Sequence, residues 1–232
     1  MIDSSSSSSE PGSEFTPEDK PRVVVLISGS GSNMEAIAEQ IKNDVIDADL
    51  VAVISNKPEA AGIQKAQDRN IDTQIVDHRQ FASREEFDAA MIRMIDGYRP
   101  DLIVLAGFMR ILTPYFVRHY LGQLLNIHPS LLPSYPGLQT HQRALAAGDA
   151  NHGATVHFVT EELDGGPNVI QAVVPILDGD DEISLQKRVQ IQEHIIYPIA
   201  VKWFVEGRLS MQNGVATLDN KTLPLSGLQL SS

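Results

Sequence analysis

Asn126 and His128 stand two residues apart in "LLNIHPSLLPSYPG", Leu124 to Gly137. Residues two apart on a strand face the same side, so an amide and an imidazole are aimed into one space. An amide N–H can meet a developing oxyanion, and an imidazole can carry a proton near neutral pH. With no Ser or Cys nucleophile beside them, the pair suits group transfer through a tetrahedral intermediate with no covalent enzyme adduct. Pro129 confines His128 to extended geometry, and Pro133 and Pro136 stiffen the loop that follows. A third group is needed to orient the imidazole. Asp164, in "EELDGG", is the candidate, since a nearby carboxylate favours the charged ring. The same residues also suit plainer roles: an Asn-x-His that satisfies loop backbone, and an Asp that opens a turn.

A second candidate site is "ISGSGSNMEA", Ile27 to Ala36. Gly29 and Gly31 fall between a strand and a helix, where unpaired N–H groups can receive a phosphate. Ser32 or Asn33 is expected to cap that helix or to bond the ligand. A dinucleotide fingerprint would need a third glycine where Met34 stands, and no Gly-Lys-Ser/Thr follows, so neither that motif nor a Walker loop is present. An ordinary tight turn would use the same glycines, and the residues alone leave both readings open. His152 and His157 with Asp164 invite a metal reading, but no H-E-x-x-H occurs and the spacing puts the histidines on opposite faces. No metal is expected; His157 is left as a residue that can line the pocket.

The elements that must hold these residues follow a regular pattern. "RVVVLIS", "DLVAVIS", "DTQIVD", "LIVLAG" and "GQLLNIH" read as strands, the first buried on both faces because it does not alternate. Helical stretches separate them, including "SREEFDAAMIRMIDGY", where Ser83 and Glu86 form a capping box. The alternation predicts an α/β fold: an open, mostly parallel twisted sheet of Rossmann-like kind with helices on both faces. "HGATVHFV" and "NVIQAVVPI" flank Gly165-Gly166-Pro167 and are expected to pair antiparallel. "SLQKRVQIQEHIIYPIAVKWFVEG" reads as one long helix that Pro198 can bend. Asn213-Gly214 marks a hairpin in an antiparallel C-terminal part.

Composition bounds the partners. The 232 residues carry a net charge of −12, of which five acids and Lys20 put −4 in the first twenty, leaving −8 beyond. An acidic body argues against nucleic-acid binding, which needs clustered Lys and Arg. There is no cysteine, which excludes disulfides and thiolate chemistry. The longest apolar run, Leu102 to Met109, is too short to span a bilayer, and no secretory signal opens the chain. The expectation is a soluble, cytoplasmic protein with small-molecule substrates and no membrane partner. Residues 1–21 are Ser-rich and aperiodic and are expected to be a disordered tail; the "GSEF" in it resembles a cloning scar. Residues 22–224 are read as a single domain and 225–232 as a flexible end.

Taken together, "VVLISGSGSN", "AGFMRIL", "LLNIHPSLLPSYPG", "GATVHFVTEELDGGP" and "RVQIQEHIIYPI" resemble the phosphoribosylglycinamide formyltransferase family over roughly residues 22–224. The resemblance implies a catalytic trio of Asn126, His128 and Asp164. It implies ribonucleotide contacts at Gly31, Ser32, Asn33, Gln190 and Glu193. It implies a folate pocket from Arg84, Met109, Arg110, Ile111, Leu112, Asn126 and Thr160, Glu161, Glu162, Leu163 and Asp164. The implied reaction passes a formyl group from the cosubstrate 10-formyltetrahydrofolate to glycinamide ribonucleotide, a step of purine synthesis, without ATP or metal, in a monomer or weak homodimer. A formyltetrahydrofolate deformylase shares the Asn-x-His-Asp logic but usually carries an extra N-terminal domain and has no use for a phosphate loop. A methionyl-tRNA formyltransferase would need a basic RNA-binding domain. A binding module without catalysis is the reading from another class.

Overall fold

The computed structural model describes residues 20–231; the expected tail lies outside them but for its last two residues. An eight-stranded sheet forms the centre, in the order β11-β7-β6-β5-β4-β1-β2-β3. Strands β1 (Arg22–Ile27), β2 (Asp49–Ser55), β3 (Thr73–Ile75), β4 (Leu102–Leu105) and β5 (Leu124–His128) run parallel. β6 (Asn151–Phe158) is antiparallel to β5 and to β7 (Asn168–Pro175), as the Gly165-Gly166-Pro167 connection implied.

Every residue from Val23 to Ile27 is fully buried, because both faces of the sheet are covered. Val23, Val25 and Ile27 pack with α1 (Ser32–Lys42), α2 (Ala61–Gln67) and α6 (Glu182–Val205). Val24 and Leu26 face the other core, built with α3 (Arg84–Gly97) and α4 (Pro114–His119). The period of two thus splits one strand between two apolar layers. The remaining α-helix, α5 (Thr140–Ala147), follows the proline loop.

α6 runs unbroken through Pro198. The hydroxyl of its buried Tyr197 donates to both Leu105 O (3.0 Å) and Leu125 O (2.8 Å), tying the helix to β4 and β5. A small antiparallel sheet follows, with β8 (Leu209–Gln212) and β9 (Val215–Leu218) joined through Asn213-Gly214, and β10 (Lys221–Thr222) beside β9. No helix among the described residues is long and apolar enough to cross a membrane.

Two expectations are corrected. The end is not flexible throughout: Leu228–Ser231 form β11, whose backbone pairs parallel with Ile170–Val173 of β7. The capping box of α3 is displaced by one residue. Ser83 Oγ accepts the Glu86 N–H at 3.1 Å, but the Glu86 carboxylate reaches Ala82 N rather than Ser83 N.

Candidate active site

Chain order reverses at β1: the chain leaves it toward β2 on one side and returns to β4 on the other. The crevice at such a switch point, beyond the carboxyl ends of the strands, is where open α/β sheets bind ligands. The glycine loop follows β1, the 109–112 segment follows β4, and Asn126 and His128 close β5. All three therefore open onto one edge of the sheet.

Gly31 is the N-cap of α1, with φ 73°, and no side chain caps the helix. The expectation that Ser32 or Asn33 would cap it is corrected: both point across to α6. Ser32 Oγ accepts from Gln190 Nε2 at 3.0 Å, and Asn33 Nδ2 donates to Glu193 Oε2 at 2.8 Å. The four residues expected to hold the ribonucleotide beside Gly31 are thus joined in two pairs, while the first-turn N–H groups have no side-chain partner. Burial holds the Glu193 carboxyl above the usual range, with the Asn33 bond acting against it. Gly31 also lies against Gly62 of α2. A Cβ on Gly31 would come within 2.7 Å of Gly62 Cα, and Gly62 N–H donates to Gly29 O at 3.0 Å.

The structure brings Asn126, His128 and Asp164 together. The Asp164 loop turns back between β6 and β7 with Asp164 at φ 52°. The loop needs Gly166, since a Cβ there would overlap Phe158 O. Asp164 Oδ2 lies 3.5 Å from His128 Nδ1 and accepts the Gly137 N–H at 2.8 Å. His128 is buried, with Nε2 2.9 Å from Tyr135 O. A carbonyl only accepts, so Nε2 carries a proton, and a second proton on Nδ1 would face the carboxylate.

His157 joins this group. It stands opposite Asn126 in the β5–β6 register, and its Nε2 is 3.0 Å from Asn126 Nδ2. Its Nδ1 is 2.9 Å from Phe158 O, so Nδ1 holds the proton and Nε2 accepts from the amide. Burial lowers the His157 pKa to about 4, keeping the ring neutral. One amide hydrogen of Asn126 is thereby fixed and the other is left for a ligand. Linear spacing cannot show this role, because it depends on cross-strand register. His152 parts from His157: its ring packs 5.1 Å from that of His141. Among the described residues no three His, Asp or Glu side chains could hold a metal ion.

The folate residues are less tightly gathered. Met109 and Ile111 are exposed. Arg110 lies over the Phe87 ring, 4.7 Å from its centroid. Arg84 is exposed one turn before Phe87 on α3. In the Thr160–Asp164 loop, Leu163 is exposed, Glu162 is folded against Gly165, and the Glu161 carboxylate accepts from Arg118 Nε and Nη2 at 2.6 and 2.9 Å.

The sequence profile described as formyl transferase matches residues 21–201. A phosphoribosylglycinamide formyltransferase of Escherichia coli is 54% identical over 205 residues, 88% of this chain and 97% of the relative. The trifunctional purine biosynthetic protein adenosine-3 of Drosophila melanogaster is 49% identical over 190 residues, 81% of this chain and 14% of that protein. The structure of the phosphoribosylglycinamide formyltransferase of Coxiella burnetii superposes with a TM-score of 0.88 at 48% identity, covering 91% of this chain and all of that one. With the profile spanning most of its length and a full-length relative above half identity, the chain belongs to the formyl transferase family.

Proposed function

We propose that the protein moves the formyl group of 10-formyltetrahydrofolate to the amine of glycinamide ribonucleotide, acting in the cytoplasm as a step of purine synthesis. The observation that carries the reading is the convergence of Asn126, His128 and Asp164 on the sheet edge that also bears the glycine loop. The relatives named for this activity support it.

In this reading Gly31, Ser32 and Asn33 hold the ribonucleotide phosphate through backbone dipoles, which lets an acidic protein bind an anion. The 109–112 and 160–164 segments, with Arg84, hold the folate. The amine attacks the formyl carbon, a C–N bond forms, and the carbonyl oxygen becomes an oxyanion. The free amide hydrogen of Asn126 donates to it. The Nε2–H of His128 exchanges the neutral Tyr135 carbonyl for the charged oxygen, an interaction stronger in the transition state than before it. Asp164 steadies the ring and accepts the amine's proton through water. Collapse breaks the bond to the folate nitrogen, which takes up the proton that Asp164 received, returned through the water, and tetrahydrofolate leaves.

The test is formyl-folate turnover, followed by absorbance, with and without glycinamide ribonucleotide. Turnover that requires the ribonucleotide is expected. Equal turnover without it would make the protein a hydrolase and remove the phosphate role from the glycine loop.

A further inference from the structure

The glycine loop and the 109–112 segment enter the reaction as separate substrate contacts, yet a buried chain of groups joins them. It begins at Ser28, which is only 6% exposed and directly precedes Gly29. Ser28 Oγ accepts the Met109 backbone N–H at 2.7 Å and donates to Asn56 Oδ1 at 2.6 Å. The Ser28 N–H donates to Gly107 O at 3.2 Å. One small side chain thus ties the end of β1 to the segment after β4 and to the residue after β2.

The chain continues from Asn56, which is 1% exposed. Its backbone carbonyl oxygen lies 2.8 Å from His78 Nδ1, so that nitrogen is the protonated one. The His78 ring meets Phe87 edge-on, centroids 6.4 Å apart. Phe87 in turn carries the Arg110 guanidinium on its face, a cation–π contact. The path closes on Arg110, the residue next to the Met109 that Ser28 holds. Met109 is held by the Ser28 hydroxyl itself and Arg110 by an aromatic ring whose neighbour, His78, rests on the backbone of Asn56, the residue that Ser28 also bonds.

Bare structural satisfaction would not require this arrangement. The part-buried Met109 N–H needs an acceptor, but any nearby carbonyl would serve. Here the acceptor is the side chain of the glycine loop's own first residue, with its donor spent on the neighbouring strand. We propose that Ser28 and Asn56 are positioning residues: they set the 109–112 segment for the folate and couple its placement to the glycine loop that holds the ribonucleotide phosphate. This rests on the transferase reading above. Coupling of this kind is reciprocal, so each substrate would tighten the other's site by the same factor.

The experiment uses the full chain with Ser28→Ala, Ser28→Thr and Asn56→Ala. It measures kcat and KM for both substrates, and tetrahydrofolate affinity by calorimetry with and without glycinamide ribonucleotide. Ser28→Ala strands the Met109 N–H and Asn56 Oδ1. It is expected to raise the folate KM about five- to tenfold, the scale of one buried hydrogen bond. The kcat should stay within about twofold, and the ribonucleotide KM at saturating folate should rise only by the lost coupling factor, less than the folate KM, which also loses the placement of the segment. The ribonucleotide should no longer improve tetrahydrofolate affinity, and Ser28→Thr, which keeps the hydroxyl, should recover most of it. An unchanged folate KM in Ser28→Ala would overturn the proposal. So would an equal rise for both substrates in Ser28→Ala and Ser28→Thr alike. If Ser28→Ala does not fold, Asn56→Ala decides: a selective rise in folate KM supports the coupling and none overturns it. Parental turnover without the ribonucleotide would instead refute the transferase reading, while the calorimetry would still report whether Ser28 sets the folate segment.

Discussion

His128 shows how little freedom a side chain in the site has. Its two nitrogens face Tyr135 O and Asp164 Oδ2, and the same Asp164 oxygen also holds Gly137 N–H. The imidazole is therefore clamped between the proline loop and the Asp164 loop. Replacing it should leave the fold standing and remove its share of the transition state. His128→Ala is expected to lower kcat by about a hundred- to thousandfold with a small change in either KM, the range for a lost proton-transfer or oxyanion partner. Asp164→Asn keeps an acceptor for Gly137 but removes the negative charge, and should cost about ten- to a hundredfold in kcat. Steady-state rates on the two variants check both figures, and a normal kcat in His128→Ala would exclude it from the mechanism. The Asn126–His128 pair was legible because a spacing of two on a strand fixes a shared face. His157 was legible only as a pocket residue. Its pairing with Asn126 depends on the β5–β6 register, which a linear reading does not contain.

At the scale of elements, the glycine loop is shaped by a helix it does not belong to. α2 begins so close to the loop that Gly31 and Gly62 meet backbone to backbone. A methyl on Gly62 would sit 2.6 Å from Ile27 Cδ1 and 2.9 Å from Gly31 Cα. The first contact can yield by rotation of a side-chain end, but the second displaces the loop itself. Gly62→Ala is therefore expected to raise the ribonucleotide KM by about tenfold or more while moving the folate KM by less than about threefold. Kinetics with each substrate varied in turn separate the two, and equal rises would mean general loosening of the sheet edge. Gly31 was legible from its place between strand and helix, where a positive φ is common. Gly62 was not, since "AAGIQ" reads as an ordinary helix start and the reason for its glycine lies thirty residues upstream. The strand and helix pattern was legible because unbroken apolar runs mark strands covered on both faces. β11 escaped the reading because a short polar-flanked segment shows its pairing only once β7 offers an open edge.

Across the whole molecule, several histidines are buried where charge is costly, and this sets how the fold responds to acid. Burial lowers His152 and His157 from 6.5 to about 4. A group whose folded pKa is depressed binds its proton more readily when unfolded, so acid favours the unfolded chain. The contribution is full above about pH 6.5 and is lost as the pH falls toward 4. By linkage it costs about 2 kcal/mol for His152 at pH 5, and His157 acts in the same direction. Ion-paired carboxylates such as Asp180, held below its usual range by Arg188, lose their contribution at still lower pH. Glu193 acts in the opposite sense, because burial raises its pKa and acid relieves the penalty. A single variant isolates the histidine term from these. His152 packs on His141 and Tyr135, outside the Asn126–His128–Asp164 group, so His152→Leu removes one titration and leaves His157 in place. Urea unfolding of both proteins at pH 7.5 and 5.0 is the measurement. The parental protein should lose stability between the two pH values, and the variant should lose about 2 kcal/mol less. An equal loss in both would mean that the His152 ring binds its proton equally well in the folded and the unfolded chain.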